Sequence, residues 1–131
     1  MENELTIGKQ NLVSVLTDNP LGDLIKPLSR EILLFSSYVA GTTYIDDQSI
    51  IDALKAGDRL TLQREPDNRF DANAILVLDP ERRKLGYIPE RDNIVFTRLM
   101  DAGKYLIAKV DRVDTKGSFR QVNISIYLVD F

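Results

Sequence analysis

The chain has 131 residues and a formal net charge of −3, from 17 lysine and arginine against 20 aspartate and glutamate residues. It contains no cysteine and no histidine, which excludes disulfides, thiolate or imidazole metal sites, and catalytic dyads or triads that need either residue. A net acidic chain is not typical of proteins that bind nucleic acid through a broad basic surface. The length predicts one domain, large enough to bury a core without cross-links.

Residues 1–34 differ in pattern from the rest, and we predict an N-terminal helical extension there. Apolar residues recur at three- and four-residue spacing, as in short amphipathic helices. The set comprises Leu21, Leu24, Ile25, Leu28, Ile32 and Leu33. Pro27 interrupts the pattern, so we expect two short pieces or a kink. Because so short a helix is marginal in water by itself, the segment is expected to pack on the main domain or on a partner.

The sequence shows no signal for a membrane. No segment approaches the roughly 20 continuous apolar residues that span a bilayer. The acidic start of the chain, with Glu2 and Glu4, lacks the basic region of a signal peptide. We therefore predict a cytoplasmic protein that does not associate with membranes.

Residues 35–131 have the composition of a β-domain. The predicted strands, in chain order, cover residues 35–45, 59–63, 74–78, 84–88, 105–113 and 122–128. A short helix is predicted over Ile50–Leu54, ended by Gly57. A second helix begins at Pro89, with an apolar stripe of Ile94, Val95, Phe96, Leu99 and Met100. The sum predicts a mainly β protein with helices: a β-barrel, OB- or SH3-like, of about six strands plus two short helices.

The polar loop between the second and third predicted strands is the richest stretch for function. Phe70 stands there among Asn68, Arg69 and Asp71. An aromatic side chain flanked by amides and arginine is the chemistry of a base-stacking platform. In the alternative interpretation, the polar side chains hold a tight connection and Phe70 packs into the core. Both interpretations stay open on the residues alone.

Three further features of the sequence have a possible role in function. Tyr44 follows Gly41 near the end of the first predicted strand, and it is either a ligand contact or a core tyrosine. The basic run Arg82–Lys84 is either a contact surface or a solvated turn. Glu65, Asp67 and Asp71 carry the acids of a conceivable metal-dependent nuclease, but no lysine at a specific spacing accompanies them. We predict no catalytic residues, no metal and no cofactor.

Taken together, three stretches resemble the HIRAN domain. They are Tyr38–Tyr44, Gly57–Ile75 and Leu85–Pro89, in this order and spacing. The resemblance covers residues 35–113 well and extends more loosely to 131. It implies a small OB-like barrel that acts without catalysis and captures the 3′-hydroxyl end of single-stranded DNA, in DNA repair or replication-fork processing. Bacterial relatives of this kind occur as free-standing proteins or beside nuclease and helicase domains, and the chain resembles the free-standing type.

The resemblance also assigns roles to individual residues. Asp71 resembles the carboxylate that accepts a hydrogen bond from the 3′-hydroxyl, and Phe70 resembles the aromatic that stacks on a terminal base. Other pocket positions fall on Thr43, Tyr44, Asn68 and Tyr87. Arg69 stands where relatives carry proline, and it adds a positive charge to the loop.

The acidic balance motivates an alternative function. In it, the chain is a protein-interaction or regulatory module that keeps the barrel and has lost affinity for DNA. Residues 1–34 would then serve as the surface for a protein partner or for self-association.

Overall fold

The structure is a computed structural model, and it describes residues 29–130. The elements are β1 (Arg30–Tyr38), a 3₁₀ turn (Thr42–Tyr44), α1 (Ser49–Asp52), β2 (Arg59–Arg64), β3 (Ile75–Leu78), β4 (Lys84–Tyr87), α2 (Glu90–Asp101), β5 (Tyr105–Lys116) and β6 (Phe119–Asp130). The prediction of a mainly β fold with about six strands and two helices is confirmed for this part of the chain. Neither helix is long and apolar enough to cross a membrane.

All six strands form one antiparallel sheet, in the order β1-β6-β5-β2-β3-β4. The two outer strands are joined by a bridge between Ala40, just after β1, and Tyr87, the last residue of β4. In this bridge the backbone N–H of each residue donates to the carbonyl of the other, over 2.8 and 2.9 Å. The sheet therefore curls into a partly closed, OB-like barrel.

Gly86 makes this closure possible. A Cβ on Gly86 would overlap the carbonyl oxygen of Ala40 and lie 2.9 Å from the Val39 side chain, so only glycine lets the two backbones approach. Gly41 adopts a left-handed φ of 82° as the residue before the 3₁₀ turn.

The core lies inside the curled sheet and is built from alternating positions of its strands. On β6, Val122, Ile124 and Ile126 are fully buried, because every second residue of a strand lies on the same face of the sheet. They pack against buried residues of β2 and β5, among them Leu60 and Leu106. Burial of each such aliphatic side chain stabilises the fold by about 1.5–3 kcal/mol. This core gives the loops at the barrel's rim a fixed base.

The prediction of a helical extension over residues 1–34 is wrong for its last five residues. Arg30–Leu34 belong to β1, where Ile32 pairs with Leu128 of β6. The edge of β6 offers backbone partners that a helix could not use, and this pairing overrides a local spacing of apolar residues. The remainder of the extension, residues 1–28, lies outside the described residues.

The second predicted helix forms as α2, but its buried face differs from the predicted stripe. Asn93, Phe96 and Thr97 are buried, whereas Ile94 and Val95 are 45% and 59% exposed. The helix is thus turned so that two polar side chains face inward. The polar groups they contact belong to the β2–β3 loop.

Candidate functional site

The loop between β2 and β3 (residues 65–74, the β2–β3 loop) is folded around the side chain of Asn68. The Asn68 Oδ1 accepts hydrogen bonds from the backbone N–H groups of Phe70, at 2.9 Å, and Asp71, at 3.1 Å. Its amide nitrogen donates to the carboxylate of Glu65 over 3.0 Å. Asparagine is suited to this because its short amide both accepts and donates. The Asn68 side chain therefore fixes the backbone at residues 70 and 71, and with it the directions in which their side chains project.

Tyr87 ties strand β4 to this loop. Its hydroxyl donates to the same Glu65 oxygen, Oε1, over 2.9 Å. The ammonium of Lys84 lies 4.8 Å from the centre of the Tyr87 ring, within the range of a cation–π contact. Glu65 thus accepts from both Asn68 and Tyr87, and it holds the loop and the β4 edge in one arrangement.

Helix α2 holds the other side of the loop through two buried polar residues. Asn93 donates from its side-chain amide to Asp71 Oδ2 over 2.7 Å, and Thr97 donates from its hydroxyl to the carbonyl of Asn73, also over 2.7 Å. Both are 2% exposed. Because unpaired polar groups are costly in such positions, these bonds specify how the helix is turned.

Asp71 is held through both of its carboxylate oxygens. Oδ1 accepts from the backbone N–H of Asn73 at 2.8 Å, and Oδ2 accepts from Asn93. Each carboxylate oxygen can accept more than one hydrogen bond. The half-buried group is therefore fixed in orientation while it keeps acceptor capacity for an external donor such as a hydroxyl.

Arg64, the last residue of β2, frames the loop from behind. Its guanidinium donates to the carbonyls of Ala72, at 3.0 Å, and Ala74, at 2.6 Å. It also pairs with Asp101 at the end of α2, with 2.9 Å between Nε and the carboxylate. The arginine thus serves the structure of the loop rather than presenting a free charge to a ligand.

Two aromatic side chains project into solvent beside this framework. Phe70 is 93% exposed and Tyr44 is 87% exposed, so the interpretation of either as a core residue is wrong. Tyr44 lies on the 3₁₀ turn, which the bridge between Ala40 and Tyr87 brings next to β4. The loop and the turn both offer a free aromatic face at the rim of the barrel.

The structure brings most of the predicted site residues together. Asn68, Phe70, Asp71 and Tyr87 share one hydrogen-bonded unit with Glu65. Thr43 and Tyr44 are exposed on the neighbouring turn, and Arg69 is exposed in the loop. Within residues 29–130, Arg69 has no side-chain hydrogen bond or ion pair, so its charge is available to a ligand.

The acids of the loop do not form a metal site in the described part of the chain. No group of three histidine, cysteine, aspartate or glutamate residues is placed there to hold an ion. Glu65 and Asp71 instead accept hydrogen bonds that hold the loop. The arrangement can stack planar rings and accept a hydrogen bond from a hydroxyl.

The sequence interpretation missed the residues that support the site from behind. Asn93 and Thr97 are four residues apart, as neighbours on one helix face are, and Phe96 lies between them. Such a polar pair beside an apolar residue is a usable signal for a helix that supports a polar loop. The missed role of Arg64 had no such signal in the sequence.

The fold and the loop define a class: a small, partly closed antiparallel barrel that presents aromatic side chains beside a fixed carboxylate. The sequence profile of the HIRAN domain matches residues 32–129, and the chain belongs to this family. No match was found among curated proteins.

Solved structures agree with this assignment. A protein from Lactobacillus plantarum is 30% identical, with a TM-score of 0.73, over 79% of this chain and 99% of that one. The crystal structure of the HIRAN domain of human HLTF shares the fold at 17% identity and a TM-score of 0.61, over 76% of this chain and 79% of that one. The NMR structure of the same domain is 19% identical with a TM-score of 0.55, covering 76% and 80% of the two chains.

Proposed function

We propose that the chain is a non-catalytic nucleic-acid-binding module that captures the 3′-hydroxyl end of single-stranded DNA at the β2–β3 loop. HIRAN domains are nucleic-acid-binding modules that typically act without catalysis, which supports the class of function. The observation that carries the specific proposal is the exposed Phe70 ring next to the fixed carboxylate of Asp71. An exposed ring can stack on a base, and a fixed acceptor can bind a hydroxyl.

Stacking supplies most of the proposed affinity. Phe70 and Tyr44 already lie in solvent, so neither ring has to leave the core to meet a base. Stacking of one base on an aromatic side chain contributes about 1–3 kcal/mol. Loss of either ring should therefore weaken binding roughly 5- to 150-fold. Because every base has a π-face, the sequence of the DNA should matter little.

The carboxylate of Asp71 is the group that makes the protein prefer the 3′ end of a DNA strand over an internal nucleotide. In this proposal its carboxylate accepts from the 3′-hydroxyl, which only the last nucleotide carries. A 3′-phosphate would replace that donor with negative charge facing negative charge. The 3′-phosphorylated strand should therefore bind more weakly than the 3′-hydroxyl strand, even though its terminal phosphate adds about 1.5–2 negative charges for Arg69 and Lys84 to attract.

The charges of the site predict weak dependence on salt. Arg69 and Lys84 are the exposed cations near the loop and Tyr87. With single strands, the slope of log affinity against log salt is about −0.7 for each phosphate contact. Two contacts give a slope of about −1.4, far shallower than that of a protein with a basic face. This fits a chain of net charge −3.

The test is fluorescence anisotropy with a short oligonucleotide that carries either a 3′-hydroxyl or a 3′-phosphate. The full chain should bind the hydroxyl form more tightly, and Asp71→Asn should remove the difference. The Asn93 amide can turn over and accept from the new Asn side chain, so the loop is expected to keep its fold. Equal affinity of the unmodified chain for both oligonucleotides would contradict capture of the end.

Phe70→Ala tests the stacking contribution separately. It should weaken binding of both oligonucleotides with no loss of thermal stability, because the ring is exposed. Leu33→Ala removes an exposed apolar side chain from β1 and is the matched control, with no expected change in binding. Wild-type affinity in Phe70→Ala would contradict the stacking role.

A role in DNA repair and a cytoplasmic location belong to the same proposal and rest on the sequence. If no oligonucleotide binds to the unmodified chain, the protein-interaction or regulatory module becomes the better explanation of the fold.

A further inference from the structure

An apolar groove lies between strand β1 and helix α2, at residues that the proposed DNA site does not use. It has a volume of about 370 Å³, and six of the residues that line it are Leu34, Phe35, Arg91, Ile94, Val95 and Leu99. Three of its apolar side chains are largely uncovered: Phe35, Ile94 and Val95 are 44%, 45% and 59% exposed. Contiguous apolar surface of this kind marks a place where something docks.

We propose that this groove is covered by the chain's own N-terminal segment, residues 12–28. The segment joins the described structure at Ser29, directly before β1, the strand that forms one wall of the groove. It carries the matching chemistry, because its apolar residues recur at the spacing of one helix face. These residues are Leu21, Leu24, Ile25 and Leu28.

The segment is long enough to reach the groove. Phe35 lies six strand residues beyond Ser29, or about 20 Å, so the segment must turn back along β1. Its 17 residues span about 25 Å as a helix and about 56 Å when extended. Either form covers the distance.

The charges around the groove complement those of the segment. Arg91 and Arg98 lie on the same face of α2 as Ile94 and Val95, since these positions are three or four residues apart. Arg91 lies 3.8 Å from the Asp92 carboxylate, whereas Arg98 has no ion-pair partner among residues 29–130. The segment carries Asp18 and Asp23 against one lysine, Lys26, which leaves it with a net negative charge. On the groove side, Arg91 and Arg98 outweigh the one acidic residue of the lining, Asp92, so the net charges of the two surfaces are opposite.

Physical linkage favours the chain's own segment over a second copy or another protein. A short tether gives the attached segment an effective concentration in the millimolar range, which a separate molecule would have to exceed. The segment also gains most from docking, because an amphipathic helix of this length is marginal in water. The two apolar surfaces of the molecule thus cover each other.

Paramagnetic NMR on the full chain tests the proposal. The protein has no cysteine, so Val95→Cys creates a single attachment point for a spin label at an exposed position of the groove. With the label on isotope-enriched protein, signals from residues 12–28 should lose most of their intensity. The reciprocal Leu24→Cys label should broaden the signals of Ile94 and Leu99.

Two controls decide which molecule covers the groove. A label at Ser118→Cys, in the turn between β5 and β6, lies at the far end of the sheet and should leave residues 12–28 sharp. A mixture of spin-labelled protein without isotopes and enriched protein without the label reports only contacts between copies, and it should show no broadening. Broadening in this mixture would assign the groove to a second copy and overturn the proposal. Absence of broadening from both the Val95 and the Leu24 labels would overturn it as well.

Discussion

The hydrogen bond between Asn93 and Asp71 is where helix α2 controls the candidate site. Asn93→Ala removes a buried amide that donates over 2.7 Å to a carboxylate oxygen. Hydrogen bonds to charged groups contribute about 1.5–3 kcal/mol. Asp71 is half-buried, so water replaces part of the lost bond, and we expect a loss of about 2 kcal/mol. With about 2.1 cal/mol/K of unfolding entropy per residue, this lowers the Tm by roughly 7–10 °C.

Asn93→Ala should also weaken DNA binding, although Asn93 itself does not contact the DNA in this proposal. In the unmodified chain both oxygens of the Asp71 carboxylate are held, whereas in Asn93→Ala only the hydrogen bond from the Asn73 N–H remains. The ligand must then restrict the remaining motion of this side chain. Immobilising one side chain costs about 0.5–1.5 kcal/mol, which corresponds to a roughly 2- to 12-fold loss of affinity for the 3′-hydroxyl oligonucleotide. The loss should vanish in the Asp71→Ala background, where no carboxylate remains to be held.

Thermal unfolding and anisotropy of Asn93→Ala, Asp71→Ala and the double variant provide the measurement. Asn123→Ala is the matched control, because Asn123 also donates to an aspartate, Asp114, over 2.8 Å, but on β6 and away from the loop. It should lower the Tm and leave binding unchanged. A Tm unaltered by Asn93→Ala, or additive losses in the double variant, would refute the reasoning.

Two further changes test how the barrel closes and how the loop joins β4. Gly86→Ala should destabilise the fold by at least about 3 kcal/mol, since a Cβ would collide with the backbone of Ala40. Gly57→Ala is its control, because Gly57 also has a positive φ, of 90°, but has open space around it. Denaturant unfolding should show that Gly57→Ala lowers the free energy of unfolding by only about 1–2 kcal/mol. Equal losses in the two variants would contradict the clash at Gly86. Tyr87→Phe should cost about 2 kcal/mol through its lost bond to the half-buried Glu65 carboxylate. DNA affinity should change little because the ring remains. A large drop in affinity would instead assign the hydroxyl to the ligand.

The predicted elements that proved right are those whose signal is local. The alternating residues of β6 predicted a strand because one face of it is buried, and Val122, Ile124 and Ile126 occupy that face. The β2–β3 loop is predictable from the sequence because Asn68 and Asp71 accept hydrogen bonds from backbone N–H groups two or three residues away. Such interactions are encoded by spacing alone.

The predictions that proved wrong concern residues whose conformation or burial depends on contacts with parts of the chain that are distant in sequence. Ile32 and Leu33 fit a helical spacing, yet β6 pairs with them as a strand. Ile94 and Val95 fit an apolar stripe, yet they are exposed, because Asn93 and Thr97 face inward and donate hydrogen bonds to the β2–β3 loop. In both places a contact between residues far apart in sequence outweighed the local pattern.

The class of fold, the resemblance to the HIRAN domain and the residues of the loop follow from the amino-acid sequence. They can be predicted because strand alternation and turn chemistry act over a few neighbouring residues. The exposure of Phe70 and Tyr44 and the hydrogen bond from Asn93 to Asp71 are visible only in the folded protein. Those outcomes depend on the bridge between Ala40 and Tyr87 and on the docking of α2, which bring together parts of the chain that are remote in sequence.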